Sequence, residues 1–229
     1  FDMDKLKEIL NASKECCNLW NTILEQGKSI PSSINFFDEC IFMAPVVLLR
    51  GDTRANLFYK ALLDEIVYRK TINLSSIKNE KYRLIWCGLP VWGNLRYLSE
   101  LFNKLDTSIV NSVYTSSWAF QFNNQAPITS MAKAYSELFI NLTDDLKLRA
   151  LVNLVQGWNA NGIIFHHSLT CKRNSDNFYY LSKKLRKGFG IPSITFEADH
   201  TDLKQFDSRR FSILVEALID QIQHTNSVK

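Results

Sequence analysis

The chain has 229 residues, an apolar fraction of 46%, and 27 basic against 23 acidic side chains, for a formal net charge of +4. That is the composition of an ordinary globular protein with room for one large domain or two small ones. The charges are interspersed, which argues against the basic stripe of a nucleic-acid binder, and no run approaches the roughly eighteen consecutive apolar residues of a membrane span.

Residues 3–26 carry Leu6, Ile9, Leu10, Cys17, Trp20 and Leu24 at helical spacing among Lys and Glu, and Gly27 ends the pattern. Pro31-Ser32-Ser33 is a turn. A short apolar helix follows at 36–48, interrupted or restarted by Pro45. Asp52 or Thr53 caps a third helix to about Arg69, with Leu57, Ala61, Ile66 and Val67 expected inward. Residues 73–81 are polar and read as a linker. This sets a helical segment, 1–78, before a second unit, 79–229.

In the second unit the pattern alternates. Strands are expected at 83–89, 108–114, 162–167 and 191–196. Helices are expected at 94–105, 128–141, 144–158, 174–188 and 207–224. Strands alternating with helices imply a parallel sheet with right-handed crossovers. The expected fold is therefore α/β, an open flavodoxin-like parallel sheet flanked by helices and preceded by a helical segment. The opening Phe1-Asp2-Met3-Asp4 has neither an initiator Met nor a signal peptide, and reads as though cut from a longer polypeptide.

In such a sheet, ligands bind at the carboxyl ends of the strands. Those ends carry Cys87-Gly88-Leu89-Pro90-Val91-Trp92, Tyr114-Thr115-Ser116-Ser117-Trp118, His166-His167-Ser168-Leu169-Thr170-Cys171 and Glu197-Ala198-Asp199-His200-Thr201-Asp202. Aromatic, hydroxyl, imidazole, thiol and carboxylate groups collect on one rim. Cys171, where a polar turn follows an apolar strand, is placed to hold a metal or attack a substrate. Cys87 sits nearer its strand interior and suits packing, as do Cys16, Cys17 and Cys40 on amphipathic helices. His166 and His167 alternate on a strand and must face opposite sides. Asp199-His200-x-Asp202 suits a metal, acid–base chemistry or a cap equally well. The five cysteines are odd in number and lack a Cys-x-x-Cys, unlike a secreted disulfide framework, which points to a reducing cytoplasm. Gly-x-Gly-x-x-Gly, a P-loop and a Gly-x-Ser-x-Gly elbow are all missing, which argues against NAD enzymes, P-loop NTPases and serine hydrolases of that type.

The four rim segments, in this order and with Cys171-Lys172 in place, resemble the 2-hydroxyacyl-CoA dehydratases and the benzoyl-CoA reductase subunits. The likeness runs over nearly the whole chain. It implies a 4Fe–4S cluster held by three cysteines, two in an amino-terminal α/β domain and the third matching Cys171. It also implies a second homologous subunit and an ATP-dependent iron–sulfur activator protein that delivers one electron. In the dehydratases that electron makes a ketyl radical of the acyl-CoA thioester substrate. On this resemblance His166, His167 and His200 are expected to handle protons, and Trp92, Trp118 and Ser117 to wall the substrate pocket.

Two departures qualify the likeness. The amino-terminal cluster domain is missing from this sequence, so the chain alone is expected to hold no intact cluster and to be inactive. In addition, Ile213 and Leu214 stand where the family usually has Thr-Arg. The alternatives are a benzoyl-CoA reductase subunit, a non-catalytic assembly subunit, and a flavodoxin-like module binding flavin through Thr115-Ser116-Ser117.

Overall fold

The computed structural model describes residues 1–227. Helix α1, Met3–Glu25, starts where the Asp2 carboxylate accepts the backbone N–H groups of Asp4 and Lys5. It buries Leu10, Cys16, Cys17, Trp20, Ile23 and Leu24 on one face. The chain turns at Gln26–Lys28, where a side chain on Gly27 would stand 2.4 Å from the carbonyl oxygen of Val110. The apolar stretch 36–48 forms two helices. α2, Phe36–Phe42, opens with an Asn35/Asp38 capping box, and α3, Ala44–Leu48, restarts with Pro45 in its first turn.

α4, Thr53–Thr71, is capped by Asp52 as expected, but its inward face is not the expected one. Ile66 is buried, whereas Leu57, Ala61 and Val67 face out. Two polar tips fix the rotation. Tyr59 Oη donates to the Phe42 carbonyl (3.0 Å) and accepts from the Val46 N–H (2.8 Å), while Asn56 Nδ2 donates to Glu15 (2.8 Å). Those partners lie toward α1 and the α2–α3 junction, so Ala55, Asn56 and Tyr59 turn in.

The sheet is β1, Tyr82–Cys87; β2, Thr107–Ser112; β3, Gly162–Ser168; and β4, Ser193–Ala198. All pairings are parallel, in the order β2-β1-β3-β4. This α/β architecture, with helices flanking the sheet and a helical lead-in, is the expected one, and its strand order is that of the first four flavodoxin strands. β2 ends earlier than expected because Ser112 Oγ accepts the Thr115 N–H and caps the short helix α6, Val113–Ser116. β4 starts later because the Ile191 N–H still closes the preceding helix on Leu185 O.

The remaining helices are α5, Leu95–Lys104; α7, Pro127–Ser136; α8, Asp144–Gly157; α9, Lys172–Ser175; α10, Phe178–Phe189; and α11, Ser208–Ser227. The helix expected at 128–141 breaks after α7, and a separate turn, Phe139–Asn141, takes its last residues.

Alternate strand residues feed two cores. Leu84, Trp86, Ile164 and Phe196 pack with α2, α5 and α11, while Ile85, Cys87, Ile163 and Phe165 pack with α8 and α10. A third core lies within the helical lead-in and includes Phe120 and Phe122 from the stretch after α6. Fully burying each large side chain contributes roughly 2–3 kcal/mol. Residues 73–81 lie folded against the body: Ile77 is buried, and the Ser76 N–H donates to Ser32 O. At their end Glu80 pairs with Arg83, whose guanidinium also donates to the carbonyls of Gly27, Ser29 and Trp158. This buried fork ties the helical lead-in to the amino edge of the sheet.

Candidate functional site

β1 runs on to β2 on one side, while β3 lies on its other side. The carboxyl ends of β1 and β3 therefore flank the topological switch point, where ligands enter such sheets. A cavity of about 180 Å³ opens there. Gly88 and Leu89 come from the turn after β1, and Val113, Tyr114, Ser117 and Trp118 from α6 and its end. Leu138, Phe139 and Ile140 come from the broken helix, and Cys171 and Asn174 from the turn after β3. A second cavity of about 420 Å³ shares Val113, Ser117, Leu138 and Phe139 with it. Gly88 has φ +120°, and a Cβ there would meet the His166 carbonyl oxygen at 2.5 Å, so the turn closes on β3 only without a side chain.

Cys171 stands at the start of α9, its N–H donating to Ser168 O (3.3 Å). All five cysteines are free, and Cys171 is the one that is not buried. Burial pushes the Cys16 thiol up to about 12 and raises Cys17, Cys40 and Cys87 as well. Four thiols are thereby removed from the chemistry by desolvation. The fifth meets a cavity together with Trp118 and Ser117, two of the expected pocket residues.

The other expected residues do not line this cavity. His166 is fully buried behind it. Its Nδ1 lies 2.6 Å from Leu89 O, so the hydrogen belongs on Nδ1, because a carbonyl only accepts. Nε2 faces Ala198 O at 3.4 Å, and the ring stacks on Phe196. Desolvation holds its pKa below the usual imidazole range, against the pull of the two carbonyls. His167 projects to the opposite face, as alternation requires, with Nδ1 3.9 Å from Glu197 and its ring against Tyr179. His200 Nδ1 is 2.9 Å from Ser168 Oγ, and its carbonyl accepts the Trp92 N–H. Trp92 is partly exposed and meets the cavity only through Tyr114, ring to ring at 6.0 Å.

Asp199 serves as a cap. It accepts from the Thr170 hydroxyl, the Asp202 and Thr201 N–H groups (2.9 and 2.8 Å) and the Thr201 hydroxyl, and these bonds lower its pKa far below the carboxylate range. Asp202 in turn caps the turn Leu203–Gln205. Leu214 lies elsewhere, in a cleft with Phe196, Phe206 and Arg210, and Ile213 is exposed. The Ile213-Leu214 departure therefore does not alter the walls of the Cys171 cavity.

Tyr114 belongs to the expected rim without having been singled out, whereas Asn174 and the run Leu138-Phe139-Ile140 were not legible as site residues. The run reads as continuous helix, and only the break after α7 turns it to the cavity. As a donor set for iron, the cavity offers one soft thiol. Among the described residues no group of three His, Cys, Asp or Glu side chains could hold a metal ion. A cluster at Cys171 would thus need thiolates from outside them.

Residues 1–222 match the family model described as 2-hydroxyglutaryl-CoA dehydratase, D-component. The chain is 27% identical over 225 residues to the lactoyl-CoA dehydratase subunit alpha of Anaerotignum propionicum, covering 97% of this chain and 53% of that protein. It is 28% identical over 225 residues to the (R)-2-hydroxyisocaproyl-CoA dehydratase alpha subunit of Clostridioides difficile, covering 97% and 55%. To a benzoyl-CoA reductase subunit of Thauera aromatica it is 24% identical over 240 residues, covering 99% and 56%. The chain spans about half the length of these curated relatives.

Proposed function

Because the chain belongs to the family described as 2-hydroxyglutaryl-CoA dehydratase, D-component, we propose that it forms the carboxyl-terminal part of a subunit of a 2-hydroxyacyl-CoA dehydratase. This lyase removes water from a 2-hydroxyacyl-CoA after one-electron reduction of the thioester to a ketyl. In this reading Cys171 is one of three thiolates to a 4Fe–4S cluster, and the other two come from an amino-terminal domain outside these 229 residues. A cluster held there supplies the electron.

The chain's own residues do the rest. Tyr114 and Trp118 wall the acyl group and keep water from it. Ser117, its hydroxyl donating to Val113 O (2.6 Å), fixes the turn that carries Trp118. His166 holds the Leu89 turn in place, and the His200–Ser168 pair at the rim carries protons. The partners are a second homologous subunit and an ATP-dependent iron–sulfur activator.

The observation that carries this reading is the exposure of Cys171 alone among five thiols, on a cavity at the sheet's switch point. Five free thiols also suit a reducing cytoplasm, and no described helix is long and apolar enough to cross a membrane. The test is an anaerobic assay of the protein with its partner and activator, using 2-hydroxyacyl-CoA thioesters and benzoyl-CoA side by side. Loss of water from a 2-hydroxyacyl-CoA supports the reading. Reduction of benzoyl-CoA alone would favour a reductase subunit, the reading that the Thauera relative supports. Tight partner binding with neither activity would leave an assembly subunit.

A further inference from the structure

The Cys171 cavity, at about 180 Å³, is smaller than the roughly 300–1,000 Å³ of small-molecule sites. Its neighbour, at about 420 Å³, falls within that range. Val113, Ser117, Leu138 and Phe139 line both, so the two cavities lie wall to wall. Leu138 and Phe139 stand where the helix breaks after α7, and both are only partly buried. A ligand with its reacting end beside Cys171 therefore finds room for its remainder in the second cavity.

The walls set the chemistry of that room. Beyond the shared residues Phe120, Ala134, Leu142, Ala150 and Leu154 give it an apolar lining. Its serine hydroxyls are already engaged: Ser116 Oγ donates to Asn111 Oδ1 (2.9 Å) and Ser117 Oγ to Val113 O (2.6 Å). Gln121 and Asn153 are exposed and belong to the mouth. Glu137 is the one charged residue among the described residues of the lining, and it too is exposed, 3.7 Å from Lys133.

Cations meet three of the wall rings from outside the lining. Arg50 lies 4.3 Å from the centre of Phe120, Lys28 4.5 Å from that of Trp158, and Lys147 5.7 Å from that of Phe139. None of the three lines the cavity, so a carboxylate placed there gains no direct partner. Burying an unpaired carboxylate is strongly unfavourable, whereas every buried methyl or methylene group is favourable.

We propose that the larger cavity takes the acyl chain of the substrate and selects an apolar chain over one that ends in a carboxylate. This rests on the function proposed above and names its substrate class: 2-hydroxyacyl-CoA thioesters with an aliphatic or aromatic chain. The thioester end lies beside Cys171, and the chain crosses between Leu138 and Phe139 into the second cavity.

The test needs no turnover. 5-Methylhexanoyl-pantetheine and glutaryl-pantetheine carry the same chain, with two methyl groups in one where the other has two carboxylate oxygens. Neither has a 2-hydroxyl group to lose. Calorimetric titration into the protein should show the methylhexanoyl thioester binding roughly tenfold or more tightly than the glutaryl one. Once bound, it should slow alkylation of Cys171 by iodoacetamide. Ala150→Trp, which fills the larger cavity from a partly buried helix position, should remove most of that preference.

Equal affinities, tighter glutaryl binding or no binding of either thioester would overturn the proposal. So would an unprotected Cys171, or a folded A150W that keeps the wild-type preference. Should A150W not fold, the wild-type comparison decides alone. Selective binding by a protein that dehydrates no thioester with its partner and activator would leave the selectivity standing and remove the proposed reaction. Dehydration of a 2-hydroxyacyl-CoA without the apolar preference would do the reverse.

Discussion

His166 and Leu89 are joined across the sheet's switch point: the imidazole Nδ1 lies 2.6 Å from the Leu89 carbonyl oxygen, which also accepts from Trp86 Nε1 at 3.1 Å. Two rings from neighbouring strands thus hold the turn that borders the Cys171 cavity. His166→Phe keeps a ring against Phe196 and loses the bond, which should cost about 1 kcal/mol at pH 7. Burial depresses the folded pKa of His166, so its contribution is present above the unfolded value and is lost as pH falls through the folded one. Urea unfolding from pH 7.5 down to pH 5 should show wild-type stability falling more steeply than the variant's. Parallel pH curves would contradict this account of His166.

Thiol accessibility gives a second expectation. In the native chain, Ellman's reagent should titrate one fast thiol, Cys171, and all five only after unfolding, because the other four are buried. Cys171→Ala should abolish the fast phase. A fast phase that survives would mean that another cysteine reaches solvent.

How much of this was legible in the sequence follows from what each residue depends on. The alternating strands and helices were readable because apolar spacing is local, and so was the rim, because strand ends are fixed by the strands. Cys171 was readable from the strand–turn junction alone. The cavity's far wall was not. Phe139 and Ile140 continue a helical pattern in sequence and become wall residues only because the helix stops after α7. Nor could spacing separate His166, sealed under Leu89, from a histidine open to ligand, since long-range packing decides that. The face of α4 escapes a reading by spacing for the same reason. Leu57 and Val67 are the more apolar choice, but the bonds of Tyr59 and Asn56 to distant segments turn the helix away from them.

Glu39 gives a prediction of opposite sign to that for His166. It is fully buried, accepts from Thr115 Oγ1 (2.6 Å) on one oxygen, and has no partner among the described residues on the other. Desolvation lifts its pKa to about 8, although the Thr115 bond opposes this. A raised carboxyl pKa makes stability fullest below the unfolded value of 4.5 and lost as pH rises through about 8. Glu39→Gln mimics the protonated form. At pH 8 it should melt about 4 °C or more above wild type, with 1 kcal/mol worth roughly 2–4 °C in a chain of this size. The gap should close toward pH 5. A variant that melts below wild type at pH 8 would contradict a protonated Glu39.

The Arg83–Glu80 fork should behave as a buried pair. Arg83→Met strands the Glu80 carboxylate and the carbonyls of Gly27, Ser29 and Trp158, at about 3–5 kcal/mol. Adding Glu80→Gln should restore part of that, which denaturant titration of both variants measures. A loss under about 1 kcal/mol in the single variant would mean that the fork does not tie the helical lead-in to the sheet.

In the proposed function the sulfur of Cys171 binds iron. The direct measurement is iron and acid-labile sulfide per subunit in the protein produced anaerobically with its partner, for wild type and for Cys171→Ala at matched folding and partner binding. The account predicts a cluster in the wild type and loss of most of its iron and sulfide in the variant. Equal iron and sulfide in the two proteins would contradict it.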